Sequence, residues 1–133
     1  MSMSRVLGIA LIVVAATACG KLEGPTVTVG TPVQGNLAAG DRTDVFDDGS
    51  FTDIYQIELT AGQQVTIDME SGAFDTYMAV LRSRNNSLAQ NDDGIPGTTN
   101  SRIAFTAPSA GTFYIATTSL AATQTGAYTL TVR

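Results

Sequence analysis

The chain has 133 residues, of which 12 are Asp or Glu and 7 are Lys or Arg, and it contains neither histidine nor tryptophan. That length holds one domain. Its basic residues beyond the N-terminus (Lys21, Arg42, Arg82, Arg84, Arg102, Arg133) stand singly, so no cationic stripe tracks a phosphate backbone and nucleic acid is excluded as a partner. Without histidine there is no Ser-His or Cys-His relay and no imidazole ligand for a hydrolytic zinc, and the chain reads as a non-enzyme.

The first element is a leader, residues 1–18. Arg5 precedes an apolar run from Val6 to Ala16, and small residues follow it up to Ala18 and Cys19. A basic start, a short apolar stretch and small residues before a cut mark a secretory signal peptide. The run is shorter than the roughly 20 residues that a spanning helix needs. Ala16-Thr17-Ala18-Cys19-Gly20 resembles the lipobox of bacterial lipoproteins, with Ala16 where leucine is usual. That resemblance implies a covalent lipid on Cys19, as a thioether-linked diacylglycerol and an amide-linked acyl chain, and so an exported protein held to the membrane by a lipid anchor. Lys21 stands where an aspartate would resemble the inner-membrane retention signal, which favours the outer membrane over the inner. The alternative is plain cleavage that leaves Cys19 as a stray thiol.

Residues 19–33 read as a lipidated N-terminus and tether, rich in Gly, Pro, Thr and Val. Beyond them, over 34–133, period-2 alternation dominates. Phe51, Tyr55, Ile57 and Leu59 share one strand face, opposite Gln56 and Glu58. Ala61-Gly62 makes a turn, after which Val65, Ile67 and Met69 point inward while Thr66, Asp68 and Glu70 face water. Tyr77 to Leu81 is a continuous apolar run, as in a strand covered on both sides. Ile103 and Phe105, Phe113 and Ile115, and Tyr128, Leu130 and Val132 complete the alternation. No window has a helical period, so the mature chain is all-β, a sandwich or a barrel.

Asp41, Asp48-Gly49-Ser50, Asp53-Ile54-Tyr55, Ala61-Gly62-Gln63-Gln64-Val65-Thr66-Ile67-Asp68, Phe74-Asp75-Thr76-Tyr77, Asn91-Asp92-Asp93, Asn100-Ser101-Arg102-Ile103, Gly111-Thr112-Phe113-Tyr114-Ile115 and Gly126-Ala127-Tyr128-Thr129-Leu130-Thr131-Val132 occur in that order. Together they resemble the bacterial pre-peptidase C-terminal domain, from about Gln34 to Arg133. The resemblance implies a single jelly-roll-like antiparallel β-sandwich of the kind that follows the catalytic domain of secreted peptidases. Some relatives bind collagen, chitin or other insoluble polymers, and some bind calcium. No peptidase domain accompanies it here, so two roles stand open. One is binding an extracellular polymer (collagen, chitin or peptidoglycan-like) or an envelope protein. The other is that of a structural or accessory envelope subunit, or of a partner acting in trans on a secreted peptidase.

Three sets of residues are candidates for a site. Asp75, Asn91, Asp92 and Asp93 offer the hard oxygen ligands that calcium takes, although Asn and Asp in such loops also serve as ordinary turn formers. Asp41, Asp44, Asp47, Asp48 and Asp53 form a second acidic cluster, either a cation site or a solvated loop. Of the four tyrosines, Tyr114 has the parity opposite to Phe113 and Ile115, which makes it the candidate ligand-facing aromatic, whereas Tyr55 and Tyr128 read as core.

Overall fold

The computed structural model describes residues 21–46 and 48–133, so Cys19 and the leader lie outside the described residues. Eight strands follow in chain order: β1 (Val33–Leu37), β2 (Asp53–Leu59), β3 (Gln64–Glu70), β4 (Thr76–Ser83), β5 (Asn86–Asn91), β6 (Ser101–Thr106), β7 (Gly111–Ser119) and β8 (Gly126–Val132). They form two four-stranded antiparallel sheets, ordered β1-β8-β3-β6 and β2-β7-β4-β5. Only the β4–β5 hairpin joins sequential neighbours within a sheet, and every other connection crosses from one sheet to the other. First strand beside last, with alternate crossings, is the jelly-roll path, and the expected β-sandwich is the fold observed.

Alternation accounts for the core. Inward residues from both sheets, among them Leu37, Ile57, Ile67, Met69, Met78, Val80, Phe113, Ile115, Leu130 and Val132, merge into one buried cluster. Phe105 of β6 meets Phe113 of β7 edge-to-face at 5.4 Å between ring centres, and so ties one sheet to the other. Such a pair adds about 0.5–1.5 kcal/mol beyond its buried area. Gly62 takes the turn between β2 and β3 at φ +80°, a backbone region open chiefly to glycine.

The continuous run in β4 is covered on both sides, as its composition predicts. Met78 and Val80 enter the inter-sheet core, while Ala79 and Leu81 join a second buried cluster on the outer face of the β2-β7-β4-β5 sheet, with Leu22, Ile54 and Ala116. Two expectations are corrected here. The tether expected up to residue 33 is, from Lys21 onward, a strap packed onto the domain. Leu22 is 4% exposed and Val27 6%, and backbone hydrogen bonds join Val27 N–H to the Gln56 carbonyl and Gln56 N–H to the Pro25 carbonyl, at 2.8 and 2.9 Å. Leu22 covers the apolar outer face of that sheet, while Val27 enters the inter-sheet core. Asp68 is the second correction. Its parity is outward as read, yet it is buried, because Arg102 Nε at 2.7 Å and Arg133 Nη2 at 3.0 Å close over its carboxylate.

Candidate functional site

One end of the β2-β7-β4-β5 sheet, where β2 and β4 begin and β5 and β7 finish, gathers most of the acidic candidates. Asp53 opens β2, Asp75 precedes β4, and Asn91 closes β5 with Asp92 and Asp93 just beyond it. Antiparallel pairing brings these ends together, because Met78 faces Asn91 and Thr117, and Asp53 faces Thr117 from the other side. The loop after β5 is pinned beneath them. Thr76 Oγ1 donates to the Thr99 carbonyl at 2.9 Å, and Ser101 Oγ donates to the Asp92 carbonyl at 3.1 Å.

Asp75 is the most unusual group at this end. Its Oδ1 is sealed from water without a hydrogen-bond partner, although the residue as a whole is half-buried. Burial raises its pKa, and the charges of Asp93 and Asp92 raise it further. Burial likewise raises the pKa of the half-buried Tyr77, with Asp92 and Asp48 adding to it. Asn91 Oδ1 accepts the Arg102 N–H at 3.3 Å. An orphaned carboxylate oxygen facing two further carboxylates has the donor chemistry that a hard cation needs. Among the described residues, however, no three acidic side chains are gathered into a ready cage, so a bound calcium would have to draw on Asn91 and loop carbonyls as well.

The second acidic cluster is divided. Asp44 is held well below the ordinary carboxylate range by its hydrogen bond to Arg42, with Arg84 as a second partner. Asp48 Oδ1 accepts the Ser50 N–H at 3.0 Å. Asp47 lies outside the described residues. Asp41 Oδ2 accepts the Ala38 N–H at 2.9 Å, and Asp53 belongs to a network that alternation alone does not reveal. Tyr128 Oη donates to Asp53 Oδ2 at 2.7 Å, accepts from Thr117 Oγ1 at 2.9 Å, and shares a 2.6 Å bond with Tyr55 Oη. Burial pushes the Asp53 carboxyl up to about 7, against the pull of the Tyr128 hydrogen bond and with help from Asp41. The Tyr128 phenol is raised by burial and by the Asp53 charge. Asp53 shares the inward parity of Tyr55 and Ile57, and a carboxylate at an inward position was the signal in the sequence.

Tyr114 stands on the outer sheet face, as its parity predicts, but it is half-buried and packed against the second cluster beside Val45 and Phe46. Tyr77, on the same face, stacks edge-to-face with Phe46 at 5.3 Å and donates to Gln90 Oε1 at 2.6 Å. Tyr55 and Tyr128 are buried, 6% and 2% exposed. The four tyrosines therefore make no exposed stacking strip. A shallow groove between β3 and β6, lined by Val65, Phe105 and their neighbours, carries Arg133 as its one charged group.

The model of the bacterial pre-peptidase C-terminal domain family matches residues 51–119, just over half of the chain. Among solved structures, the pre-peptidase C-terminal domain of collagenase from Bacillus anthracis is similar with a TM-score of 0.63 and 17% identity, over 84% of this chain and 96% of that one. The periplasmic inhibitor of g-type lysozyme from Aeromonas hydrophila is similar with a TM-score of 0.56 and 13% identity, over 82% of this chain and 95% of that one. At these identities the likeness is one of fold. No curated protein matches the sequence.

Proposed function

The chain belongs to the bacterial pre-peptidase C-terminal domain family, and from that premise we propose that it is a non-catalytic, lipid-anchored envelope protein whose acidic end binds a cationic protein of the envelope. One observation carries this reading. Asp48, Asp75, Asp92 and Asp93 gather at one end of a sheet, with no exposed aromatic strip beside them. Polymer recognition draws on exposed aromatic platforms, whereas a concentrated acidic rim steers and selects a basic partner. A lysozyme inhibitor among the fold neighbours is compatible with such a protein–protein contact. Calcium belongs to the same proposal, as the ion that would order Asp75, Asn91, Asp92 and Asp93. Anchoring through Cys19 would hold the module at the outer membrane.

Calorimetry of the domain with a g-type lysozyme, a basic protein probe, tests the first part. Saturable binding is expected, weakening steeply as salt is raised and lost in the Asp92→Asn, Asp93→Asn double variant. Sedimentation with insoluble collagen, chitin and peptidoglycan, each with and without calcium, tests the alternative. Saturable co-sedimentation with one polymer, unchanged by the double variant, would overturn the acidic-end reading in favour of polymer binding.

A further inference from the structure

The acidic end also carries an uncharged tip. Four connections meet there, and three of them, residues 71–75, 92–100 and 120–125, hold Asp75, Asp92 and Asp93 but no Lys or Arg. Residues 120–125, between β7 and β8, bear no charge, and every one of them is exposed. Among the described residues three large apolar side chains stand exposed, Val29, Leu88 and Leu120, at 44%, 37% and 46%. Leu88 belongs to the edge strand β5, and Val29 precedes Gly30, whose N–H meets the Val132 carbonyl at the far end of β8. Leu120 alone lies at the acidic end. Scattered exposed leucines are ordinary. Leu120, however, heads a run of three exposed apolar residues with Ala121 and Ala122, and such a run is a fault in a surface unless it serves a contact.

The fold sets this tip at the centre of the sheet end and fixes its shape. β7 lies between β2 and β4, so its last residues are flanked on both sides. Leu120 N–H donates to the Asp75 carbonyl at 2.9 Å, and Ser50 Oγ, from the turn that Asp48 closes, donates to the Ser119 carbonyl at 3.4 Å. Ser119 Oγ donates to the Ala121 carbonyl, and Thr123 Oγ1 to the Ala122 carbonyl. Thr123 takes φ +63°, a left-handed backbone that β-branched residues avoid, and strain of this kind gathers at ligand clamps and switch regions. Of the cations at this end, Arg42 is held by Asp44 and Arg102 by Asp68, and Lys21 on the strap is matched in number by Glu23.

We infer that residues 120–125 are the apolar anchor of the acidic end, with Leu120 entering an apolar pocket of a basic protein while Asp48, Asp75, Asp92 and Asp93 face the cationic rim of that pocket. The inference rests on the cationic partner proposed above. Charge commits the occupant, because an apolar centre ringed by carboxylates complements an apolar hollow ringed by Lys and Arg and repels an anionic surface. Apolar anchors at the centre of an interface govern how slowly a partner leaves, whereas rim charges govern how fast it arrives. A tip already held in shape loses less freedom on binding.

Surface plasmon resonance of the protein made from the full chain, with a g-type lysozyme again as the basic probe, separates the two roles. Leu120→Ala is expected to speed dissociation by about tenfold or more, with the association rate, its salt dependence and the Tm unchanged. Asp93→Asn should instead slow association and flatten its dependence on salt. Leu88→Ala, on the edge strand, should leave both rates as they are. A dissociation rate unchanged by Leu120→Ala, or raised equally by Leu88→Ala, overturns the anchor, and the cationic partner stands if Asp93→Asn still slows association. A lysozyme that fails to bind the unsubstituted protein overturns the cationic-partner reading, and the anchor with it.

Discussion

The Tyr128 hydroxyl is one of the points at which the two sheets are joined by polar contacts, with the 2.6 Å Thr76–Ser101 hydroxyl pair as another. It comes from β8 of one sheet and meets Tyr55 and Asp53 of β2 and Thr117 of β7 in the other. A buried donor or acceptor left without a partner costs about 1–3 kcal/mol. Tyr128→Phe strands three partners at once and should cost about 2–3 kcal/mol in urea unfolding, whereas Tyr55→Phe removes one end of the chain of bonds and should cost about 1 kcal/mol. The network also gives stability a dependence on pH whose sign follows from Asp53. Its native pKa, pushed up to about 7 by burial and by Asp41, lies above the value of about 3.9 for an unfolded aspartate. Between those values the folded state keeps a proton that the unfolded chain has released, so stability falls as pH rises and levels off above about 7. Thermal melts from pH 4 to 8 should therefore show a declining Tm, and Asp53→Asn should flatten that decline. A wild-type Tm that rises across the window would show that Asp53 is ionised throughout.

At the scale of elements, the strap is to the outer sheet face what one sheet is to the other, a cover for apolar side chains. Ile54, Ala79, Leu81 and Ala116 line that face, and Leu22 closes over them together with Val45, Phe46 and Tyr114. Leu22→Ala should cost about 2 kcal/mol, at the low end for buried leucine because a peripheral site can relax. Gly24→Ala should cost about 1–3 kcal/mol, because the new methyl meets the Ile54 backbone carbonyl and a carbonyl cannot swing aside as a flexible side chain does. Both changes should shift the urea midpoint, and both should increase binding of a hydrophobic dye by the native state. If neither variant takes up dye, the strap is not a cover. Period-2 alternation made the strands and the inward residues of β3, β6, β7 and β8 legible, because a half-buried strand writes its environment at every second position. The continuous run of β4 even announced a cover on its outer face. What supplies that cover was not legible, since Lys21 to Pro32 alternates only over Thr26 to Val29 and buries just two side chains, Leu22 over the outer face and Val27 in the inter-sheet core. The Asp53–Tyr128 contact was hidden for a related reason. It spans 75 residues of chain, and parity gives the side of a strand but not its neighbour in the opposite sheet.

Over the whole molecule, the acidic residues form an asymmetric field. The strap side pairs its charges, with Asp44 taken by Arg42 and Arg84. Asp68, on the outer side of β3, is likewise closed by Arg102 and Arg133. The end beyond β5 leaves Asp75, Asp92 and Asp93 to repel one another, with Asp75 Oδ1 sealed from the water that would screen it. A fold that carries such repulsion is strained in the absence of a cation and relieved by one. Neutralising Asp75 should have the same effect without any ligand, so Asp75→Asn is expected to raise the Tm in EDTA by a few degrees. The same substitution removes the negative charge with most to gain from a cation, and the response to calcium should shrink with it. For the unsubstituted protein, calcium at about 100 times its dissociation constant would add about 2.7 kcal/mol through binding to the folded state alone, a rise in Tm that differential scanning calorimetry reads directly. Equal melting of the two proteins in EDTA would mean that Asp75 bears no repulsive load. A stabilised Asp75→Asn whose parent ignores calcium would leave the acidic end with a cationic protein, not a metal, as the agent of relief. In that second case the repulsion held at this end fixes where a positively charged partner gains most by binding.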